Sequence, residues 1–284
     1  MNVLEQLALA WQCLRYALGQ LLSPALWAPW LAVGVVQSLV IVALWWFAHP
    51  WLSWLVAPLL AATAGPEVLR YPNLFRLLPA LFSRADLVIG ASLGALAAGA
   101  STALFADRAA GGEPQPGAAW RQAFARAVPL ILVNLPLTLI ALALSYGIEA
   151  WLLAGGSPAE VRRLAHWASL GAAFLCQAWF LYVNALVILG RRGWLAALAA
   201  LPRTAARGLV AALFLSLVTL LPLVPMQWLA SASSGLVDRG IPELVGWLVV
   251  VQVGVALVSS FLLTGGATLY FQSALAEPLD EERA

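Results

Sequence analysis

Residues 182–221 read YVNALVILGRRGWLAALAALPRTAARGLVAALFLSLVTLL: an apolar run, an arginine-bearing middle and a second apolar run. The middle, residues 191–208, holds Arg191, Arg192, Arg203 and Arg207 with Trp194 and Pro202. On a helix turning about 100° per residue, Trp194, Leu195, Leu198, Leu201 and Leu209 fall on one side. Arg192, Arg203 and Arg207 fall on the other. Such a segment lies flat at a membrane surface, with leucines in lipid and guanidinium groups at the phosphates. Pro202 has no N–H and is expected to open the next helix or to mark a bend. The stretch reads as an inner elbow that fixes topology and grips headgroups.

Composition places the whole chain in the same setting. Of 284 residues, 63% are hydrophobic and 10% charged, with mean hydropathy +0.89. Soluble domains carry roughly 25% charged residues. Several runs exceed the ~18 consecutive apolar residues that span a bilayer. The chain is a polytopic membrane protein. A net charge of +2 is too small to imply a nucleic-acid partner. All 15 basic residues are arginine, which with the alanine and leucine content reads as a GC-rich bacterial genome and a bacterial cytoplasmic (inner) membrane. Cys13 and Cys176 lie in different segments without CxxC spacing, so they imply free thiols rather than a disulfide or a zinc site. Glu5 precedes any basic residue and a full-length span follows, which argues against a cleavable signal peptide.

Six apolar runs are expected to span: Leu26–Phe47, Leu87–Phe105, Val128–Leu153, Leu164–Leu189, Leu209–Leu229 and Leu244–Phe271. Residues 3–22 mix leucine with Glu5, Gln12, Arg15 and Gln20 and suit an interfacial helix. Residues 51–63 are too short to cross and contain Pro58, so they re-enter or lie at the surface. The predicted fold class is all-α: a polytopic membrane helical bundle over residues 1–284 as a single integral membrane domain. It has six transmembrane helices arranged as three hairpins, with amphipathic interfacial helices on the cytoplasmic side.

Arginine placement sets the orientation. With the N-terminus inside, inner segments hold Arg15, Arg108, Arg121, Arg126, Arg191, Arg192, Arg203, Arg207 and Arg283. Outer segments hold Arg70, Arg76, Arg84, Arg162, Arg163 and Arg239. Nine against six places both termini in the cytoplasm. Trp45, Trp46, Trp51 and Trp54 cluster at the outer end of the first span, where an indole anchors at headgroup level.

The elbow pattern recurs. WRQAFARAVPLILVNLPLTL from Trp120 leads into the third run, and WQCLRYALGQLLSPALWAPWL from Trp11 leads into the first. Each has a tryptophan, arginine, proline and then a span, which reads as three copies of one unit. The second, fourth and sixth runs end comparably, in ASTALFADR, YVNALVILGRR and GATLYFQSALAEP. The 182–221 stretch resembles a segment in the membrane domain of glycerophosphoryl diester phosphodiesterases and related bacterial six-span proteins. The resemblance covers about residues 120–275 and implies a six-span helical module, often without an assigned activity. The fused enzymes carry a soluble hydrolase domain that this chain lacks, so phosphodiesterase activity is not carried over.

Chemistry is sparse. No HExxH, GxSxG or GxxxxGK[ST] pattern occurs. No ionisable residue is expected at the centre of a span. Glu149, Arg162 and His166 are placed to cluster at the outer surface, where local pairing and solvation explain them. His49 stands apart and makes no metal site. Uncharged polar residues within spans are Gln37, Asn134, Gln177, Asn184 and Gln252. They serve as interhelical hydrogen bonds or line a polar path. Gly90, Gly94, Ala98 and Ser101 form a small-residue stripe on the second span, suited to close helix packing.

The predicted function is a non-enzymatic membrane module that organises lipid or supports a protein partner. The alternative is a small transporter or lipid-translocating protein with a polar cavity at mid-membrane. Arg191, Arg192, Trp194, Arg203 and Arg207 are the expected lipid-headgroup contacts. No cofactor or metal is expected. Partners are membrane lipids, anionic ones included, with a protein partner or a homo-oligomer left open.

Overall fold

The structure, a computed structural model, describes residues 1–46, 49–147, 159–231 and 233–276. Among these, all regular structure is helical. In chain order the helices are α1 (Val3–Gly19), α2 (Pro24–Trp45), α3 (Pro50–Ala64), α4 (Asn73–Ala109), α5 (Pro116–Ala125), α6 (Ala127–Leu142), α7 (Ala159–Phe180), α8 (Val183–Ile188), α9 (Trp194–Arg207), α10 (Leu209–Leu220), α11 (Leu223–Ser231), α12 (Ser233–Asp238) and α13 (Glu243–Tyr270). Among the described residues, four helical stretches are long and apolar enough to cross a membrane: Pro24–Trp45, Asn73–Ala109, Leu170–Ile188 and Glu243–Leu275. Two bent pairs pass the same test when each is taken as one span, α5 with α6 at 75° and α9 with α10 at 89°.

The bent pairs are two of the elbows expected from the sequence, each an amphipathic helix turning into an apolar one. The bend after α9 falls at Gly208 and not at Pro202, which sits inside α9. The cause is steric. The ring and hydroxyl of Tyr182 lie 2.9–3.1 Å from where a Gly208 Cβ would stand. The Tyr182 hydroxyl also donates to the Gly208 carbonyl at 3.1 Å. Only glycine lets the backbone pass this buried ring.

At the start of the chain, α1 opens on a capping box. Asn2 Oδ1 accepts from the Glu5 N–H at 2.8 Å, and Glu5 Oε2 accepts from the Asn2 N–H at 2.9 Å. Its buried residues Ala10, Cys13, Leu14 and Ala17 fall at helical spacing along one face, as an amphipathic helix requires.

Three runs differ from their expected bounds. The helix that holds the second run begins at Asn73 rather than Leu87. Leu74, Phe75, Leu78, Leu81 and Phe82 are buried and make one apolar stripe, so residues 73–86 are helix despite Pro79, Arg76 and Arg84. The fourth run breaks at Leu181–Tyr182 between α7 and α8. The fifth breaks at Leu221–Pro222 between α10 and α11, because proline disfavours helical backbone in the residue before it. The outer end of the third run, residues 148–153, lies outside the described residues. Residues 51–63 lie within the fifteen-residue helix α3, shorter than a crossing.

The chain divides into two compact units, one of Met1–Trp30, Gly90–Thr219 and Ser260–Ala284, the other of Leu31–Ile89 and Leu220–Ser259. In the first, α4 is buried on every side from Ala95 to Ala106. The close approach there is at Gly99, where a Leu130 methyl lies 2.5 Å from the position of a Cβ, while Gly90 has open space. Of the small-residue stripe, Ala98 and Ser101 are buried. Aromatic pairs complete this core: Trp27 stacks on Phe261 at 4.5 Å, Phe105 meets Phe261 edge-on at 5.1 Å, and Tyr182 stacks on Tyr270 at 6.0 Å. The second unit packs Ile41, Phe75, Leu78, Phe82, Val245, Val249 and Val253 into one cluster. Trp45, expected as a surface anchor, belongs to this core: its ring meets Phe75 and Trp247 edge-on and fills the space left by Gly246. Trp46, Trp51 and Trp54 are exposed.

The Gly208 contact gives a direct test. Gly208→Ala is expected to destabilise the protein in detergent by about 1–3 kcal/mol through overpacking against Tyr182. Gly193→Ala, where a Cβ meets nothing within 4 Å, serves as the comparison and should leave the thermal midpoint unchanged. Equal midpoints for the two variants contradict the Tyr182 account of the bend.

Candidate functional site

The arginine elbow closes around a pocket. Arg192, Arg203, Thr204 and Arg207 line a recess of about 420 Å³ together with Ala196, Ala199, Ala200 and Leu275. Helical spacing explains the gathering: Arg203 and Arg207 are four residues apart on α9 and so share a face. The opposite face is tied down, with Ala197, Leu201 and Ala205 buried. Arg203 and Arg207 are exposed. Arg192 arrives from the turn before α9, where Arg191 adopts φ 49°, a left-handed conformation uncommon outside glycine. Of the expected headgroup contacts, Arg192, Arg203 and Arg207 come together; Arg191 and Trp194 do not line the recess, although both are exposed. Trp194 and Leu195 present apolar surface outward.

An arginine counted above only for topology holds this turn. Arg126, between α5 and α6, directs its Nη1 to the carbonyls of Val187 and Arg192 at 3.4 and 3.5 Å. Those carbonyls lie at the end of α8 and the approach to α9, where backbone acceptors lack helical partners.

A second polar site lies inside the same unit. A cavity of about 140 Å³ is lined by Asn134, Gln177, Asn184, Thr102, Ser260 and Thr264 among others. Asn134 Nδ2 donates to Asn184 Oδ1 and to the Leu130 carbonyl, both at 2.8 Å. Asn134 therefore ties α6 to α8 while bordering the cavity. Trp30 Nε1 donates to the buried Ser101 hydroxyl at 3.2 Å. Gln252 does not line this cavity. The lining carries no formal charge, so it suits water or a neutral polar solute rather than an ion.

The third polar site was not expected. Gln37 Nε2 donates to Asp86 Oδ1 at 2.6 Å in the second unit. Sequence reasoning placed Asp86 in an outer loop just before a span starting at Leu87. In the structure it lies within α4, a helix counted among the candidate spans. The sequence reading expects no ionisable residue at the centre of a span; Asp86 stands inside the long helix that contains the second apolar run. The signal was present: Leu78, Phe82 and Asp86 are spaced by four, so Asp86, itself half-buried, falls in line with the buried stripe.

Glu149 and the side chains of Arg162 and His166, read as an outer cluster, lie outside the described residues. Cys13 is a buried free thiol and Cys176 is also unpaired with another cysteine. Burial pushes the Cys13 thiol up from its ordinary value, partly offset by a hydrogen bond with Ser273. Among the described residues, no three His, Cys, Asp or Glu side chains gather as a metal site would require.

No family model, curated protein or solved structure matches this chain.

The Asn134–Asn184 bond yields a measurable coupling. A double-mutant cycle with Asn134→Ala and Asn184→Ala, read by unfolding in bicelles, should give about 0.6 kcal/mol of favourable interaction, the average for such bonds between membrane helices. A coupling of zero contradicts the bond.

Proposed function

We propose that the protein is a bacterial inner-membrane module that binds anionic phospholipid headgroups at its cytoplasmic face. The observation that carries this reading is the recess of Arg192, Arg203 and Arg207 on an amphipathic helix that turns by 89° into an apolar one. Guanidinium groups pair bidentately with phosphate oxygens and stay charged at every physiological pH. An elbow lying in the interface holds them at headgroup depth. The polypeptide forms three hairpins, each entered through an amphipathic inner helix: α1 before α2, α5 before α6 and α9 before α10. Both termini are cytoplasmic, following the arginine bias. The module acts by binding and not by catalysis.

The test is lipid binding by native mass spectrometry, with anionic and zwitterionic headgroups compared. Replacing Arg203 and Arg207 by glutamine should weaken anionic binding by about 1 kcal/mol per charge, and less at high salt. Replacing both with lysine keeps the charge and loses the planar fork, so the loss should be smaller. A glutamine variant that keeps full anionic preference would falsify the headgroup reading and leave a protein partner as the better occupant.

Topology has its own test. A reporter active only outside the cytoplasmic membrane, fused after Ala284, should be silent. Strong activity contradicts an even number of crossings.

A second reading rests on the uncharged cavity bounded by Asn134, Gln177 and Asn184. It favours passage of a small neutral polar solute. Reconstituted vesicles containing the protein should then swell faster in glycerol than empty ones, and Asn184→Leu should remove the difference. No swelling difference with the unaltered protein rejects this reading.

A further inference from the structure

We propose that Asp86 and Gln37 form a proton-binding site within the membrane. Gln37 is 6% exposed and stands eight residues before Trp45, the end of α2. At 1.5 Å per residue that is roughly 12 Å inside the helix end, well within a hydrocarbon core of about 30 Å. Asp86, bonded to Gln37, lies at the same depth. A carboxyl group held there is costly as an anion, and such residues mark ion and proton paths in membrane proteins.

The partner decides which ion is bound. The Gln37 amide offers a donor and an acceptor on one planar group. Its Nε2 donates to Asp86. Its Oε1 is buried with no hydrogen-bond partner. A carboxylate uses the donor and leaves the acceptor idle. A protonated Asp86 gains an O–H that needs an acceptor, and rotation of the amide by half a turn presents Oε1 to it. One side chain thus satisfies both states: N–H to carboxylate when the proton is off, O–H to amide oxygen when it is on. A sodium ion would need several oxygen ligands, and the structure brings one amide oxygen and one carboxylate together here. On binding, one proton adds to one carboxylate oxygen, and the local charge goes from −1 to 0.

Surrounding charges do not hold Asp86 ionised. Neither α2 nor α3 contains an ionisable residue. From α13, the second unit's core receives Val245, Val249 and Val253, and the acid at its start, Glu243, accepts from Tyr71 at 3.0 Å. On α12, Asp238 pairs with Arg76 at 2.6 Å, and Arg76 is ten residues from Asp86 along α4, roughly 15 Å away. Arg84 is exposed and, two residues from Asp86, points to another side of the helix.

The experiment is infrared difference spectroscopy of the full chain in lipid, stepped in pH. At neutral pH the protein should show a carboxylic-acid C=O band that is absent in Asp86→Asn and shifted in frequency in Gln37→Leu. Should the asparagine variant not fold, the unaltered protein decides: dicyclohexylcarbodiimide, a lipid-soluble reagent that attacks protonated carboxyls, should modify Asp86 at neutral pH, as read by peptide mass mapping, and modification should fall as pH rises. Absence of both the band and the adduct at neutral pH overturns the proposal. Equal modification by a water-soluble carbodiimide also overturns it, since the carboxyl would then face water. The Arg203→Gln, Arg207→Gln variant should keep the band, which separates this site from the headgroup reading.

Discussion

Lipid offers no hydrogen bonds, so every backbone carbonyl and N–H at membrane depth must find its partner within the protein. A helix meets that demand along its length and fails it at its ends. Wherever this chain turns, something must supply the missing partners or bring the end up to water. At the 89° turn after α9, the Tyr182 hydroxyl donates to the carbonyl of Gly208. Around the end of α8, Arg126 reaches the carbonyls of Val187 and Arg192. These two side chains hold the two ends of α9, Arg126 at the turn that leads into it and Tyr182 at the bend that leaves it. The elbow is thereby fixed from both sides.

The placement of α9 explains why the arginines gather. Once the turn is set at Gly208, α9 presents a narrow inward face of Ala197, Leu201, Thr204 and Ala205. The small side chains let α9 lie close to the unit it belongs to. Arg203 and Arg207 follow on the outward side by spacing alone, and the Arg191–Arg192 turn brings Arg192 to the same recess. The polar residues deeper in the chain work differently. Asn134 and Asn184 satisfy each other while bordering a cavity, whereas Gln37 keeps one atom unsatisfied beside Asp86, an acid inside the long helix α4.

Much of this was legible in residue order. The apolar runs announce helices because their lengths match a bilayer, and the amphipathic spacing of Arg192, Arg203 and Arg207 announces the elbow. Pro202 misled because proline was read as the turning point; within a helix its missing N–H is tolerated when the carbonyl it frees can be satisfied, and a ring from a distant helix placed the turn at Gly208 instead. Residues 73–86 misled for a related reason. Arg76, Pro79, Arg84 and Asp86 look like a loop when counted, yet Leu74, Phe75, Leu78, Leu81 and Phe82 keep a helical period through them. Trp45 was read as an anchor by composition, and its role depends on Gly246, two hundred residues later in sequence. Long-range fits of this kind leave no local signature.

Depth along α9 is the most direct measurement of the elbow. Spin labels placed singly at successive positions from Trp194 to Arg207, in a background with Cys13 and Cys176 replaced, report immersion through their relative accessibility to oxygen and to a water-soluble paramagnetic complex. A helix lying in the interface gives depths that oscillate with a period of about 3.6 residues around one shallow value. A steady change in depth of about 1.5 Å per residue from one end to the other would mean that α9 enters the bilayer as part of a straight span, and that no elbow exists there.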